Sequence, residues 1–452
     1  MVRQPLRSIA LAVSAVCALG VHASDRVQDS THDSAHNSAH NSAHNSAHNS
    51  KVPLDDLRLF AQVFDQIRHA YVDEVDDSTL LNQAIAGMLQ GLDAHSAYLV
   101  EDAYTDLQES TSGTFGGIGI EVGLEDGFIK VITPIDDTPA QRAGIQAGDL
   151  IIKIDDQLVK GLTLQEAVAH MRGPRGSEIR LSILREGSGT PLELTLQRDT
   201  IRVSSVRSQI LEPGFAYVRI AQFQQGTARQ FRNAIKELTR KGSDDSLKGL
   251  VLDLRNNPGG LLQASIDISN TLLEDGLIVS TRGRIVGSNS NAYASKGDLL
   301  EGLPVVVLIN GGTASAAEIV AGALQDHRRA LIVGTRSFGK GSVQTVLPLD
   351  ETRAIKLTTA RYYTPSGRSI QVEGIQPDIL VERATIQPIA DAAAVSEASL
   401  QRHLNHENGT ESRPATAEPA TSIEDNQLFE ALNILKGLTI LSTRPTPNAE
   451  AH

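Results

Sequence analysis

The stretch Pro304-Val-Val-Val-Leu-Ile-Asn-Gly-Gly-Thr-Ala-Ser-Ala-Ala-Glu318 decides the fold. Pro304 to Ile309 is a short run of mostly branched apolar residues without polar alternation, the pattern of a strand buried on both faces. Asn310 to Ala314 is small and glycine-rich, which predicts a turn. A helix is expected from about Ser315 to Gln325. The same grammar recurs on either side. Leu250 to Leu254 reads as a buried strand, Arg255 to Gly260 as a turn and Leu261 to Leu273 as a helix. Ala330 to Val333 reads as a third strand, and Thr227 to Lys241 as a helix stopped by Gly242. Val343 to Leu349 and Arg353 to Arg361 read as a strand pair. Repeated strand–loop–helix units predict an α/β core over residues 201–385, with functional loops at the carboxyl ends of its strands.

Outside that core the pattern changes. Residues 113–200 are predicted to form an inserted β-rich domain with one longer helix, about Thr163 to Met171. Its strand candidates are Glu121 to Ile135, Leu150 to Ile154, Ile179 to Arg185 and Pro191 to Gln197. Residues 53–112 read as a helical segment. Leu57, Phe60, Phe64, Ile67 and Tyr71 keep helical spacing, and Ser78 is a candidate cap for a second helix. Residues 386–422 read as a flexible linker, and 423–452 as a docked helix and tail. The fold class is therefore multidomain α/β with helical termini.

The first 23 residues read as a cleaved secretory signal. Arg3 and Arg7 supply positive charge, Ile9 to Gly20 is apolar but too short to span a bilayer, and Val21-His22-Ala23 suits cleavage. The expected compartment is the periplasm, with membrane association as a further option. Residues 24–52 read as a disordered linker that repeats Ser-Ala-His-Asn; its regularly spaced histidines leave metal binding open. Cys17 is the only cysteine, so cleavage after Ala23 would leave no disulfide, thiolate metal site or cysteine nucleophile. A net charge of −13 argues against a nucleic-acid partner. No cofactor and no metal are expected of the folded domains.

Ser315 begins a helix directly after a glycine-rich turn, where free N–H groups and the helix dipole would stabilise an oxyanion. Ser315-Ala316-Ala317-Glu318 equally matches a capping box. Lys340 lies 25 residues on, in Ser337-Phe-Gly-Lys-Gly-Ser-Val-Gln344. A phosphate-binding loop fails there, because Gly341 stands where a magnesium-binding hydroxyl is needed and the following segment reads as extended. A desolvated Lys340 amine could serve Ser315 as a general base, and the uncharged Gln344 amide could orient that amine. Gly259 and Gly260, in Asp253-Leu-Arg-Asn-Asn-Pro-Gly-Gly260, and Ala316 are candidate oxyanion donors.

Together with Leu92-Asp-Ala-His-Ser-Ala-Tyr-Leu99 and Gly116-Gly-Ile-Gly-Ile120, these motifs resemble the carboxy-terminal processing peptidase (tail-specific protease) family. The resemblance covers most of the chain after the His-Asn tract. It implies a serine endopeptidase with nucleophile Ser315, base Lys340 and supporting Gln344. Ala94 and Ala317 depart from the common proline and serine, and neither is a proposed catalytic group. Gly116 to Ile120 and Ala143 to Ile151 resemble PDZ segments, which makes Gly117, Ile118, Gly119, Ile120 and Val168 candidates for gripping a free carboxyl terminus. The family also implies regulation through that grip, a homodimer through the terminal helices and, as a further partner, an adaptor protein. A non-catalytic PDZ scaffold and a crotonase-like enzyme stay open as alternatives.

Overall fold

The computed structural model describes residues 53–188, 190–241, 246–295, 297–385 and 425–442. The signal segment, the His-Asn tract, Gly242 and the 386–422 linker lie outside them. The described residues up to Glu74 fall in one unit and those from Val75 on in another. In the first, helix Leu54–Ala70 has no buried residue, and Leu57, Phe60 and Ile67 are exposed along its apolar stripe.

The second unit is built on a six-stranded sheet. Its order is Val206–Glu212, Phe215–Ile220, Gly249–Asp253, Val305–Ile309, Leu331–Gly334, Ile379–Leu380. Only the first pair is antiparallel. Every residue of Gly249–Asp253 and Val305–Ile309 is buried, as unbroken apolar runs require when both sheet faces are covered. Helices Thr227–Lys241, Leu262–Leu272 and Ala316–Asp326 cover one face, against Leu250, Leu252, Val305, Val307 and Ile309. Helix Asn426–Ser442 covers the other, seating Ala431 and Leu435 on Val251, Val306, Leu308 and Val333. The two-residue periodicity of the strands thus divides one apolar run between two helical layers.

A second sheet centres on the long strand Arg353–Tyr363. Ser342–Pro348 pairs with it antiparallel, and Ala97–Val100 and Leu277–Gly283 also join it. Ala97–Val100 corrects the expectation of an all-helical 53–112 segment: four residues, flanked by helices Asp77–Gln90 and Asp102–Ser112, are too few for sequence periodicity to reveal. Asp76, not Ser78, caps the Asp77–Gln90 helix, accepting from the N–H groups of Ser78 (3.0 Å) and Thr79 (3.1 Å).

The β-rich insertion is a sheet of Ile120–Glu125, Phe128–Pro134, Leu150–Ile154, Glu178–Leu184 and Leu192–Gln197, with Gln157–Leu158 paired at the side. The expected single strand Glu121–Ile135 is a hairpin, turned at Asp126-Gly127 with both residues at positive φ. Helix Leu164–Met171 begins at the reciprocal cap of Thr163 and Glu166. Thr114–Gly117 pairs with Asp199–Arg202 where the chain enters and leaves the insertion.

Candidate active site

Three loops from distant parts of the chain meet at Ser315. The elbow Asn310–Ala314 is braced to the turn after Gly249–Asp253. Asn310 Oδ1 accepts from the Asn256 N–H at 2.9 Å, Thr313 Oγ1 donates to the Leu254 carbonyl at 2.8 Å, and the Ala314 N–H donates to the Asn257 carbonyl at 2.9 Å. Ser315 itself sits at φ +57°, ψ −118°. That conformation costs a residue with a Cβ about 1–3 kcal/mol and must be enforced by its surroundings.

Glu318 supplies much of the enforcement. Its side chain is fully buried and accepts four hydrogen bonds. Oε2 takes the N–H of Ser315 and the N–H of Lys340, each at 2.8 Å. Oε1 takes the Ser337 hydroxyl at 2.6 Å and the Gly339 N–H at 2.7 Å. One carboxyl oxygen therefore holds the backbones of the two residues expected to form the nucleophile and base. Glu318 supplies its half of the capping box at the Ser315 N–H, and its wider role depends on the Ser337–Lys340 loop, which the local motif does not reveal. Tyr362, almost fully buried, donates to the Lys340 carbonyl and also touches the Ser315 hydroxyl. Burial pushes its phenol well above the ordinary value, so it remains a donor.

The Lys340 side chain is half-buried. Burial, and then the nearby Lys356 charge, lower its pKa against the opposing pull of Asp93 and Glu318. Among the described residues no hydrogen bond holds its amine. Gln344 lies on Ser342–Pro348 and donates through Nε2 to Ser342 Oγ (2.9 Å) and Thr358 Oγ1 (3.3 Å). His95, from the turn before Ala97–Val100, has its pKa lowered by burial and then by the charge of Lys340. The Leu92–Leu99 motif therefore reaches the base.

Gly259 and Gly260 both lie against the elbow. A Cβ on Gly259 would fall 2.7 Å from the Ser315 Cβ, and one on Gly260 would fall 2.1 Å from the Phe223 carbonyl oxygen, so neither position has room for a side chain. The Gly259 N–H is spent on Asn257 Oδ1 at 2.9 Å, which removes Gly259 from the oxyanion donors in this arrangement. Among the described residues the N–H groups of Gly260 and Ala316 meet no acceptor. Asp253 anchors the turn: it is fully buried and receives Tyr217, Arg219 and Arg255. Arg255 continues to Asp425 at 2.8 Å, tying the turn to the start of the last helix.

In the β-rich insertion Ile120–Glu125 is an edge strand, open to pairing on one side. Ile118 is 2% exposed and packs in the domain core, and its carbonyl accepts from the Ala140 N–H at 2.9 Å, so its side chain offers a ligand no surface. Ile120 and Val168 are partly buried against that core. Val168 also lines a groove of about 1160 Å³ with Phe115, Gly116, Arg172 and Glu109. Gly117 ends the strand before the loop, and Gly119 stands at φ +80° with its carbonyl accepting from the Ile135 N–H at 2.9 Å.

The family model for peptidase family S41 matches residues 214–381, that for a PDZ domain residues 131–185, and that for the N-terminal domain of activating protease CtpB residues 14–103. A carboxy-terminal-processing protease of Bartonella bacilliformis is 48% identical over 400 residues, covering 87% of this chain and 91% of that protein. The chain belongs to the carboxy-terminal processing protease family. CtpA of Bacillus subtilis is 38% identical over 71% of this chain and 68% of its own length. The solved photosystem II D1 C-terminal processing protease is 31% identical, covering 72% of this chain and 92% of its own, with a TM-score of 0.41. This member of the family is thus a serine-type peptidase with a PDZ domain. Tyr362 and Thr358 of the protease give no signal in the sequence: a tyrosine and a threonine in a strand carry no local mark of contact with a catalytic loop.

Proposed function

We propose that the protein is an exported serine endopeptidase that grips the free carboxyl terminus of a substrate protein in its PDZ domain and cleaves by a Ser315–Lys340–Gln344 mechanism. The observation that carries the reading is the shared Glu318 oxygen, 2.8 Å from both the Ser315 and the Lys340 N–H. The neutral Lys340 amine takes the Ser315 hydroxyl proton as Oγ adds to the scissile carbonyl carbon. The oxyanion is met by the N–H groups of Gly260 and Ala316. The resulting ammonium protonates the leaving amine as the C–N bond breaks. Water, deprotonated by the same amine, then releases the acyl group from Ser315. An uncharged Gln344 can orient the amine without restoring its proton, as a carboxylate would.

Tail recognition is supported by the open Ile120–Glu125 edge, which a terminal strand could join, and by the turn N–H groups around Gly119. Export to the periplasm rests on the Arg3-to-Ala23 pattern. Among the described residues no helix is long and apolar enough to cross a membrane. A homodimer would use the exposed stripe of Leu54–Ala70; the Asn426–Ser442 helix already spends Ala431 and Leu435 on its own sheet. The proposal extends to an adaptor protein as a further partner of the PDZ domain.

The test is hydrolysis of an unstructured protein with a free or an amidated carboxyl terminus, by wild type and Ser315→Ala. The variant is expected to bind the free tail and cleave nothing, and amidation to slow the wild type. Undiminished cleavage by Ser315→Ala removes the nucleophile. Tail binding without cleavage by the wild type would favour a scaffold.

A further inference from the structure

A chain of polar groups leads from the N-terminal segment into the site. Asp93 lies in the turn between Asp77–Gln90 and Ala97–Val100. Its Oδ1 accepts the N–H groups of His95 (2.7 Å) and Ser96 (2.9 Å), and its Oδ2 accepts the Ser96 hydroxyl (2.8 Å). Burial would raise this carboxyl, but these donors overcome it and hold the pKa at about 2, so Asp93 is an anion that can only accept. The Ser96 proton is thereby committed to Asp93, and Ser96 Oγ is left as an acceptor. It takes the Thr358 N–H at 3.1 Å and stands 3.5 Å from Thr358 Oγ1. Thr358 in turn is the cross-strand partner of Gln344, and its Oγ1 accepts from Gln344 Nε2 at 3.3 Å. The other Nε2 proton goes to Ser342 Oγ at 2.9 Å.

The Ser96 hydroxyl and the Thr358 N–H point towards the carboxylate, and the Thr358 hydroxyl also donates to Asp93, which leaves Thr358 Oγ1 to accept from Gln344. An amide has two N–H bonds and one carbonyl. With both N–H bonds engaged, Gln344 has only its oxygen left to offer. An oxygen accepts from an amine and leaves the amine lone pair free; a flipped amide would donate into that lone pair and block it. We propose that Asp93, acting through Ser96 and Thr358, is a positioning residue that fixes the Gln344 amide with its oxygen as the free group, so that the N-terminal turn completes the active site. The proposal rests on the reading of Lys340 as base and Gln344 as its support.

The experiment compares Asp93→Asn, Ser96→Ala, Thr358→Val, Thr358→Ser and Gln344→Ala in the full-length protein. The substrate is a fluorescence-quenched unstructured peptide with a free apolar carboxyl terminus, followed across pH, with Tm recorded for each variant. Gln344→Ala is expected to lower kcat roughly ten- to hundredfold with little change in KM. Ser96→Ala and Thr358→Val are expected to lower kcat in the same direction, Thr358→Ser to restore it, and neither loss to add to that of Gln344→Ala. Asp93→Asn should do the same and also move the acid limb of the rate profile to lower pH. The groups facing the Lys340 amine are Asp93, Glu318, Lys356 and His95, and of these Asp93 and Glu318 favour its charged form. A purely structural loss would lower the rate and Tm without moving that limb. Full kcat in Thr358→Val, or losses that add to Gln344→Ala, overturns the proposal. Full kcat in Gln344→Ala instead overturns the reading of the base on which it stands.

Discussion

Glu318→Gln is the sharpest single perturbation of this site. The native carboxylate has two oxygens and receives two donors on each, at 2.6 to 2.8 Å. Glutamine keeps the size and shape but replaces one oxygen with an NH2 group. With the NH2 in the place of Oε2, the N–H groups of Ser315 and Lys340 both face a donor; with it in the place of Oε1, only the Gly339 N–H does, because the Ser337 hydroxyl can turn and accept. Hydrogen bonds to a charged group contribute about 1.5–3 kcal/mol each, so the loss of at least one amounts to about 1.5–3 kcal/mol. Desolvation of the orphaned donor works in the same direction. The lower figure corresponds to a fall in Tm of roughly 2–3 °C. Activity should fall further than stability requires, because the affected bonds hold either the Ser315 and Lys340 N–H pair or the Ser337–Gly339 turn that shapes the Lys340 loop. The assay is a thermal melt together with peptide hydrolysis well below the variant's Tm. A Tm within about 1 °C of wild type and kcat within twofold would show that the carboxylate does not hold the site together, and the reasoning from its four bonds would fail.

Other outcomes follow from the same geometry. Lys356→Met removes a positive neighbour that lowers the Lys340 pKa, so that pKa rises and the acid limb of kcat/KM moves to higher pH; a limb that stays in place or moves to lower pH counts against the electrostatic reading. Lys340→Met should abolish hydrolysis yet raise Tm at pH 7. The folded state holds the Lys340 pKa below its unfolded value near about 10.4, so the native lysine costs stability at neutral pH and the cost fades as pH rises towards that value; a lower Tm at pH 7 contradicts this. Gly260→Ala would set a Cβ 2.1 Å from the Phe223 carbonyl oxygen at φ +135°, so both kcat and Tm should fall, measured as above. Val168→Asp places a charge in the groove that Val168 lines with Phe115 and Leu164 and, if the proposed tail binding uses Val168, should raise KM for a peptide with a free tail while leaving kcat nearly unchanged; an unaltered KM excludes Val168 from tail binding.

The sequence alone determined the elements of the core and the order in which they come. Unbroken apolar runs such as Val305–Ile309 and helical stripes such as that of Thr227–Lys241 are local consequences of periodicity, and they were legible within one or two residues. The Ser315 and Lys340 motifs were legible for a similar reason: each is a short turn whose composition serves one backbone path. Only the tertiary structure decided what those turns touch. Glu318 reads locally as half of a helix cap, yet it binds the Ser337–Lys340 loop. Gly259 reads as an oxyanion donor, yet its N–H is taken by Asn257. Ala97–Val100 is too short to announce itself, yet it brings Asp93 and His95 beside Lys340. Periodicity reports which face of an element is buried. It does not report which distant loop shares a carboxylate or a hydroxyl with that element, because such contacts are fixed by sheet order and strand register across the whole folded unit.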